Sequence, residues 1–346
     1  MKNKKIPVVL ATLFVLAVLA VGFWRTSSPS VEDHEVQEFL MDTVVNIRVS
    51  GEDAEEAVEA SLRRMRELAD KIDINRDDNQ LNEINRQAGQ KAVEVDEEVL
   101  FIIQNAKEYG ELSQGGFDVT IAPVLNLWGF GSGTPGVPSE EEITERLELV
   151  NYEDIIIDEE ASTVMLAREG MRLDLGGASK GYIIEQGIET LKEYGIESAL
   201  IGAGDIRALG TRPDGEEWTV AIRNPRPESD KFADNEFGGQ YVTAVRGADF
   251  SMATSGDYER YFEEDGEMYH HILDAKTGYP VRGLASVTVI TDTTLMEVDL
   301  LSTALFIMGF EEAKEYIESK EHLEGMIITE ELEIWQSQGF EKLKAE

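Results

Sequence analysis

MRLDLGGASKGYIIEQGIETLKEYG, residues 171–195, is the most densely patterned stretch of the chain. Its first five residues predict a strand over 171–175, with Asp174 near its end. Gly176 and Gly177 then turn the chain, and a helix is predicted from about Ser179 to Tyr194, with Lys180 in its first turn. A helix start presents free backbone N–H groups, and an ammonium beside them makes an anion site. The two glycines allow the backbone to come close to a phosphate. Taken alone, the same pattern also describes a plain strand–helix connection. It is neither a Walker sequence nor a dinucleotide-binding fingerprint, so NTPase and NAD readings lack support.

Working outward, the downstream chain predicts strands at 198–202, 218–223 and 285–291, a helix at 295–309 and a last hairpin at about 325–336. Residues 224–240 read as polar and irregular. Upstream, residues 40–50 alternate as a strand, and 52–70 have helical periodicity with Ala57, Leu62, Met65 and Leu68 on the buried side. A polar loop over 73–85 and a second helix over 96–112 follow. Ser139 and Glu142 form a capping-box pattern, and two short strands are predicted at 153–158 and 162–167. Strands and helices mix without strict alternation, which points to an α+β fold of mixed sheets packed with helices.

The N-terminus reads differently. Lys2, Lys4 and Lys5 precede an uncharged apolar run from Ile6 to Trp24, closed by Arg25. Such a run is long enough for a hydrocarbon core of about 30 Å, and longer than the apolar part of a cleaved signal. The lysines belong on the cytoplasmic side. The expected organisation is a cytoplasmic tip and transmembrane anchor over 1–25, a linker over 26–38, and a catalytic domain over 39–346 on the extracytoplasmic side of the cell membrane. Cleavage near Ala20 or Gly22 is the alternative.

Charge excludes some functions. There are 69 acidic and 31 basic residues, for a net charge of -38. No basic footprint for nucleic acid exists, and a site for an anionic ligand has to be locally positive against this field. Much of the acidity reads as a solvated surface. The absence of cysteine excludes disulfides, thiolate metal sites, thiol nucleophiles and an acylated lipoprotein anchor.

Three further segments carry chemistry. In TTLMEVDLLSTALFIMG, residues 293–309, Asp299 and Thr303 are one turn apart on an otherwise apolar helix. A carboxylate and a hydroxyl so placed can give Mg²⁺ two oxygens and leave room for water and phosphate; a buried aspartate bonded to backbone is the plainer reading. In residues 251–281 two of the four histidines adjoin, His270 and His271, and histidine is the natural base near neutral pH. In GGFDVTIAPVLNLWGFG, residues 115–131, Phe117, Trp128 and Phe130 are suited either to a planar ligand or to the core.

These segments resemble, in order and spacing, the FAD:protein FMN transferase (ApbE) family. The carrying motifs are GGFDVTIAPVLNLWGFG, LDLGGASKGYIIE, GAGDIRALG followed by WTVAI, ATSGDYERYFE with HILDAKTGYPV, and VDLLSTALFIMG. The resemblance covers about residues 39–315. It implies transfer of FMN from FAD to a threonine or serine of an exported partner protein, with Mg²⁺ as cofactor and AMP as leaving group. It also implies residue roles. Asp299 and Thr303 hold Mg²⁺, assisted by the backbone of Gly177 and by Ser302. Asp174 and Lys180 hold FAD; Gly116, Phe117 and Asp118 line a ring site; Met41 and Leu273 touch the cofactor; His271 is the candidate base. One departure stands out: Asn75 falls where the family carries an aromatic that stacks on FAD, which forfeits about 1 kcal/mol of ring contact. A lesser one is Ala203 in place of a common glycine. A Mg²⁺-dependent FAD pyrophosphatase, a non-catalytic flavin-binding protein and an exported solute-binding protein are the competing readings.

Overall fold

The computed structural model describes residues 32–130 and 133–345. The expected membrane segment, residues 6–24, lies outside them; among the described residues no helix is long and apolar enough to cross a membrane.

One eight-stranded sheet organises the molecule. Its strands are β1 (Glu32–Leu40), β2 (Thr43–Gly51), β3 (Ser198–Ala203), β4 (Asp205–Leu209), β5 (Phe250–Gly256), β6 (Leu284–Thr291), β7 (Leu323–Thr329) and β8 (Ile334–Gln336). They lie side by side in chain order, and every neighbouring pair is antiparallel. The helices are insertions into this meander: α1 (Ala54–Ile72), α2 (Gln80–Arg86), α3 (Glu97–Leu112), α4 (Ala122–Trp128), α5 (Glu140–Leu147), α6 (Lys180–Glu193), α7 (Leu295–Met308) and α8 (Phe310–Glu318).

Sheet alternation sorts the core into two. Val45, Ile47 and Val49 of β2 and Val287 and Val289 of β6 join a large cluster with α1, α6 and α7. From the other face, Ala208 and Met252 meet Trp218, Val220 and Ile222 of a separate hairpin, Trp218–Arg223 with Tyr241–Gly247, and Phe340 near the C-terminus. Every residue of β6 is buried, as expected for a strand covered on both sides. The four residues of α1 expected inward, Ala57, Leu62, Met65 and Leu68, are all buried. The Ser139–Glu142 capping box is present at the start of α5.

Three local expectations are corrected. Residues 171–175 form no strand: Met171, Leu173 and Leu175 are buried as the alternation requires, but the one ladder contact is a bridge from Arg172 to Ile121. The polar loop over 73–85 is shorter than expected, because α2 begins at Gln80 with Asn79 as its cap. The linker expected over 26–38 is overlapped by β1 from Glu32, which pairs with β2 along its whole length.

Candidate active site at the α6–α7 crossing

The helix α7 is apolar on nearly all sides, and fully burying each of Leu301, Leu305 and Phe306 is worth about 1.5–3 kcal/mol. That burial holds the polar residues of α7 in place. Asp299 is 4% exposed, and its Oδ2 accepts the backbone N–H of Gly181 at 2.7 Å. The helix start predicted as an anion site thus receives the carboxylate of the predicted metal helix. The approach is close: a Cβ on Gly181 would lie 2.7 Å from the backbone of both Leu295 and Met296. Glycine is the residue that lets α6 and α7 touch here.

Lys180 reaches into the same place. Its Nζ lies 2.6 Å from Asp205 Oδ2 and 4.0 Å from Asp299 Oδ1. Burial pulls its pKa down, but Asp205 and Asp299 outweigh that and hold the ammonium above the usual lysine range. Burial pushes the Asp299 carboxyl up to about 7, with Asp205 adding to the rise and Lys180 opposing it. Two buried carboxylates share one lysine, so the pocket has room for more positive charge. Asp205 also accepts the N–H of Thr254 at 3.2 Å, which fixes it at the start of β4.

A hydroxyl cluster ties α7 to the sheet. Ser255 Oγ of β5 lies 2.9 Å from both Ser302 Oγ and Thr303 Oγ1, and Ser302 donates to the Asp299 carbonyl at 3.0 Å. Thr303 is half-buried, and Ser302 buried. Before α6, Asp174 Oδ1 accepts the N–H of Gly176 at 2.8 Å, pinning the glycine turn, while a Cβ on Gly177 would meet nothing within 4 Å. The turn therefore borders open space beside the Lys180–Asp299 pair. Among the described residues no three His, Asp or Glu side chains converge as a metal cage. The oxygens present are a carboxylate, hydroxyls and exposed backbone, a hard but incomplete set that suits Mg²⁺ shared with water and phosphate.

The histidine pair divides. His270 is fully buried, bonded through Nε2 to the Val281 carbonyl at 2.7 Å and edge-on to Phe306. His271 is half-buried, and its Nδ1 lies 3.3 Å from the Arg260 carbonyl. A carbonyl only accepts, so Nδ1 carries the hydrogen and Nε2 keeps its lone pair. Burial, with the charges of Arg260, His270 and Lys180, pulls the His271 pKa down to about 3. Phe130 stands edge-on to this imidazole, 6.5 Å between ring centres.

Residues 41–327 match the sequence model of the ApbE family. This chain belongs to the ApbE family. An FAD:protein FMN transferase of Klebsiella pneumoniae is 36% identical over 267 residues, 77% of this chain and 79% of that one. Another from Treponema pallidum is 31% identical over 301 residues, 82% of this chain and 81% of that one. Among solved structures, the ApbE protein of Thermotoga maritima has a TM-score of 0.82 at 32% identity, covering 91% of this chain and 100% of its own. The flavin transferase ApbE of Vibrio cholerae has a TM-score of 0.79 at 26% identity, covering 90% and 99%.

The remaining residues implied by the resemblance lie on other segments of the chain. Asp118 is buried with both oxygens engaged internally: Oδ1 by the N–H and hydroxyl of Thr120, Oδ2 by the N–H of Tyr152. Burial raises its pKa against those bonds. Phe117 and Trp128 are core residues, while Phe130 is half-buried, packed on Phe262 and edge-on to His271. Gly116 packs against Ile307, one turn beyond Thr303, and its carbonyl accepts the N–H of Ala275. Leu273 is buried opposite Pro280. Met41 is half-buried in the two-residue turn between β1 and β2, in left-handed backbone with φ 55°. Asn75 is exposed on its loop. Ala203 lies inside β3 and outside the left-handed region, so it replaces glycine without strain. Sequence reading missed Asp205, Ser255 and Gly181 as parts of the site; all three lie inside the motifs quoted above.

Proposed function

We propose that this chain is a Mg²⁺-dependent FAD:protein FMN transferase that places FMN on a threonine or serine of an exported partner protein and releases AMP. The observation that carries the reading is the meeting of Asp299, Lys180 and the α6 N-terminus beside an open glycine turn. The activity named for the Klebsiella and Treponema relatives supports it.

Phosphoryl transfer asks mainly for charge neutralisation and alignment. Lys180 and the free N–H groups at the start of α6 face the FAD diphosphate. Asp299 and Thr303, with the backbone of Gly177 and with Ser302, are the residues that would hold Mg²⁺, which would neutralise the diphosphate and polarise the phosphorus under attack. The acceptor hydroxyl oxygen bonds to the FMN phosphorus, the bond from that phosphorus to the bridging oxygen breaks, and AMP leaves with the electron pair. The hydroxyl proton passes to Nε2 of His271. Arg260 fixes the tautomer that makes Nε2 available.

Hydrolysis of FAD to FMN and AMP is the second reading, and Asn75 favours it. An exposed amide in place of a stacking ring holds FAD less firmly and lets water compete. AMP release from FAD and Mg²⁺, with and without an acceptor peptide, separates the readings. Transfer predicts AMP only with acceptor; hydrolysis predicts AMP without it; a flavin-binding protein releases none. Asp299→Ala is expected to abolish release while the fold survives, and full activity in that variant with EDTA also harmless would remove the cation from the account.

The apolar run Ile6–Trp24 completes the proposal: it anchors the domain on the extracytoplasmic side, where an exported acceptor is met. The protein is then expected in the membrane pellet after alkaline carbonate washing. A mature chain starting near residue 20–30 and free in the medium would show cleavage instead.

A further inference from the structure

The bond from Asp299 to Gly181 is one of two hydrogen bonds between α6 and α7. The second lies about one turn further along α6 and belongs to a residue with no place in the chemistry above. Glu185 is buried, and its Oε2 accepts the backbone N–H of Leu295 at 3.0 Å. Leu295 is the first residue of α7, whose N-cap, Thr294, makes no side-chain capping bond. A carboxylate from a neighbouring helix therefore satisfies and charge-complements the start of α7. Glu185 is itself held by buried Arg207 on β4, whose Nε lies 3.3 Å from Oε2. Arg207 continues to Asp249 at 2.7 Å, just before β5.

We infer that Glu185 is a positioning residue for the cation site and that Arg207 keeps it in place; the inference rests on the divalent-cation reading above. Two ties, at Gly181–Asp299 and Glu185–Leu295, fix both the rotation and the axial setting of α7 against α6. With the Glu185 tie gone, the Asp299 carboxylate becomes both the anchor of the helix and a ligand. Each task pulls the carboxylate toward a different geometry. Thr303, one turn further on, moves with the same helix. Groups that orient a metal ligand without touching the metal typically govern affinity by about 10–100-fold.

The test uses Mn²⁺ in place of Mg²⁺, titrated into the EDTA-stripped full-length chain and followed by electron paramagnetic resonance. Glu185→Ala alone would leave buried Arg207 with Asp249 as its one remaining carboxylate, so the main variant is Glu185→Ala with Arg207→Met. Its Mn²⁺ dissociation constant is expected to rise about 10–100-fold. Glu185→Gln keeps an oxygen for the Leu295 N–H and is expected to bind Mn²⁺ nearly as the parent does. Adding Thr294→Asp to the double variant gives α7 a local cap. That triple variant is expected to recover thermal stability without recovering Mn²⁺ affinity, and it stands in if the double variant does not fold. Parent-like affinity in the double or the triple variant, or a Glu185→Gln variant as weak as the double, overturns the inference. Asp299→Ala is the control: if it binds Mn²⁺ as the parent does, or the parent binds none, the cation reading itself fails. If Asp299→Ala loses binding while the double variant keeps it, only the positioning role is lost.

Discussion

At the scale of single residues, the histidine pair shows how one position apart becomes two different jobs. Successive side chains at the end of an extended hairpin point to opposite sides. His270 goes inward, where its bond to Val281 and its contact with Phe306 occupy it. His271 goes toward Phe130, with its tautomer set by the Arg260 carbonyl. Its depressed pKa, about 3, means that the free enzyme carries a neutral imidazole over the whole physiological range. In the proposed role of base His271 is then unprotonated but weak, and its pKa is expected to rise when the anionic diphosphate of FAD binds nearby. Long-range proton–nitrogen NMR of the four histidines checks this. In the free protein His271 is expected not to titrate between about pH 5 and 8, and its pKa is expected to rise when FAD is added. His271→Gln is expected to slow transfer by about 10²–10⁴-fold. A free-enzyme titration of His271 near 6.5, or a His271→Gln variant with parental transfer, would contradict the assignment.

At the scale of elements, the site is the product of one crossing. The closest approach of α6 and α7 falls at Gly181, where no methyl group fits against the backbone of Leu295 and Met296. Gly181→Ala is expected to push the helices apart and destabilise the fold by about 1–3 kcal/mol, the usual cost of overpacking a rigid contact. Urea unfolding measures this, and an unchanged midpoint would mean that the crossing is softer than its geometry. The same scale shows what could be read from the sequence. Helices α1, α6 and α7 were legible because a sustained apolar pattern had one structural meaning. The alternation of Met171, Leu173 and Leu175 was equally real, since all three are buried. Alternation reports burial, however, and says nothing of whether a partner strand exists; here Arg172 makes only an isolated bridge, to Ile121. β5 reads as a motif and not as a strand because Ser251, Thr254 and Ser255 are polar, yet each finds a partner: Ser251 donates to the Thr293 carbonyl, Thr254 meets the Thr288 hydroxyl and gives its N–H to Asp205, and Ser255 meets the Ser302 hydroxyl. The residues of the site were visible as types at fixed spacing. The carboxylate that braces Lys180, Asp205, was not, because a single aspartate after a glycine turn looks like any other turn.

At the scale of the whole molecule, a net charge of -38 sets the problem that the site solves. An anionic dinucleotide approaches a protein whose field repels it, so binding depends on local positive groups gathered in one place. The antiparallel meander brings one ammonium, Lys180, together with the groups that brace it or would hold a cation: β4 supplies Asp205, β5 supplies Ser255, and the inserted helices supply Lys180 and Asp299. A bound divalent cation adds positive charge where two buried carboxylates now share one lysine. We propose that this arrangement serves transfer to a protein hydroxyl and not merely the holding or splitting of FAD. Mass spectrometry of an exported acceptor protein, after incubation with the enzyme, FAD and Mg²⁺, tests it most directly. One threonine or serine is expected to gain the mass of FMN less one water, with one AMP released per modified acceptor and none of this with Asp299→Ala. An acceptor of unchanged mass while AMP accumulates would contradict it.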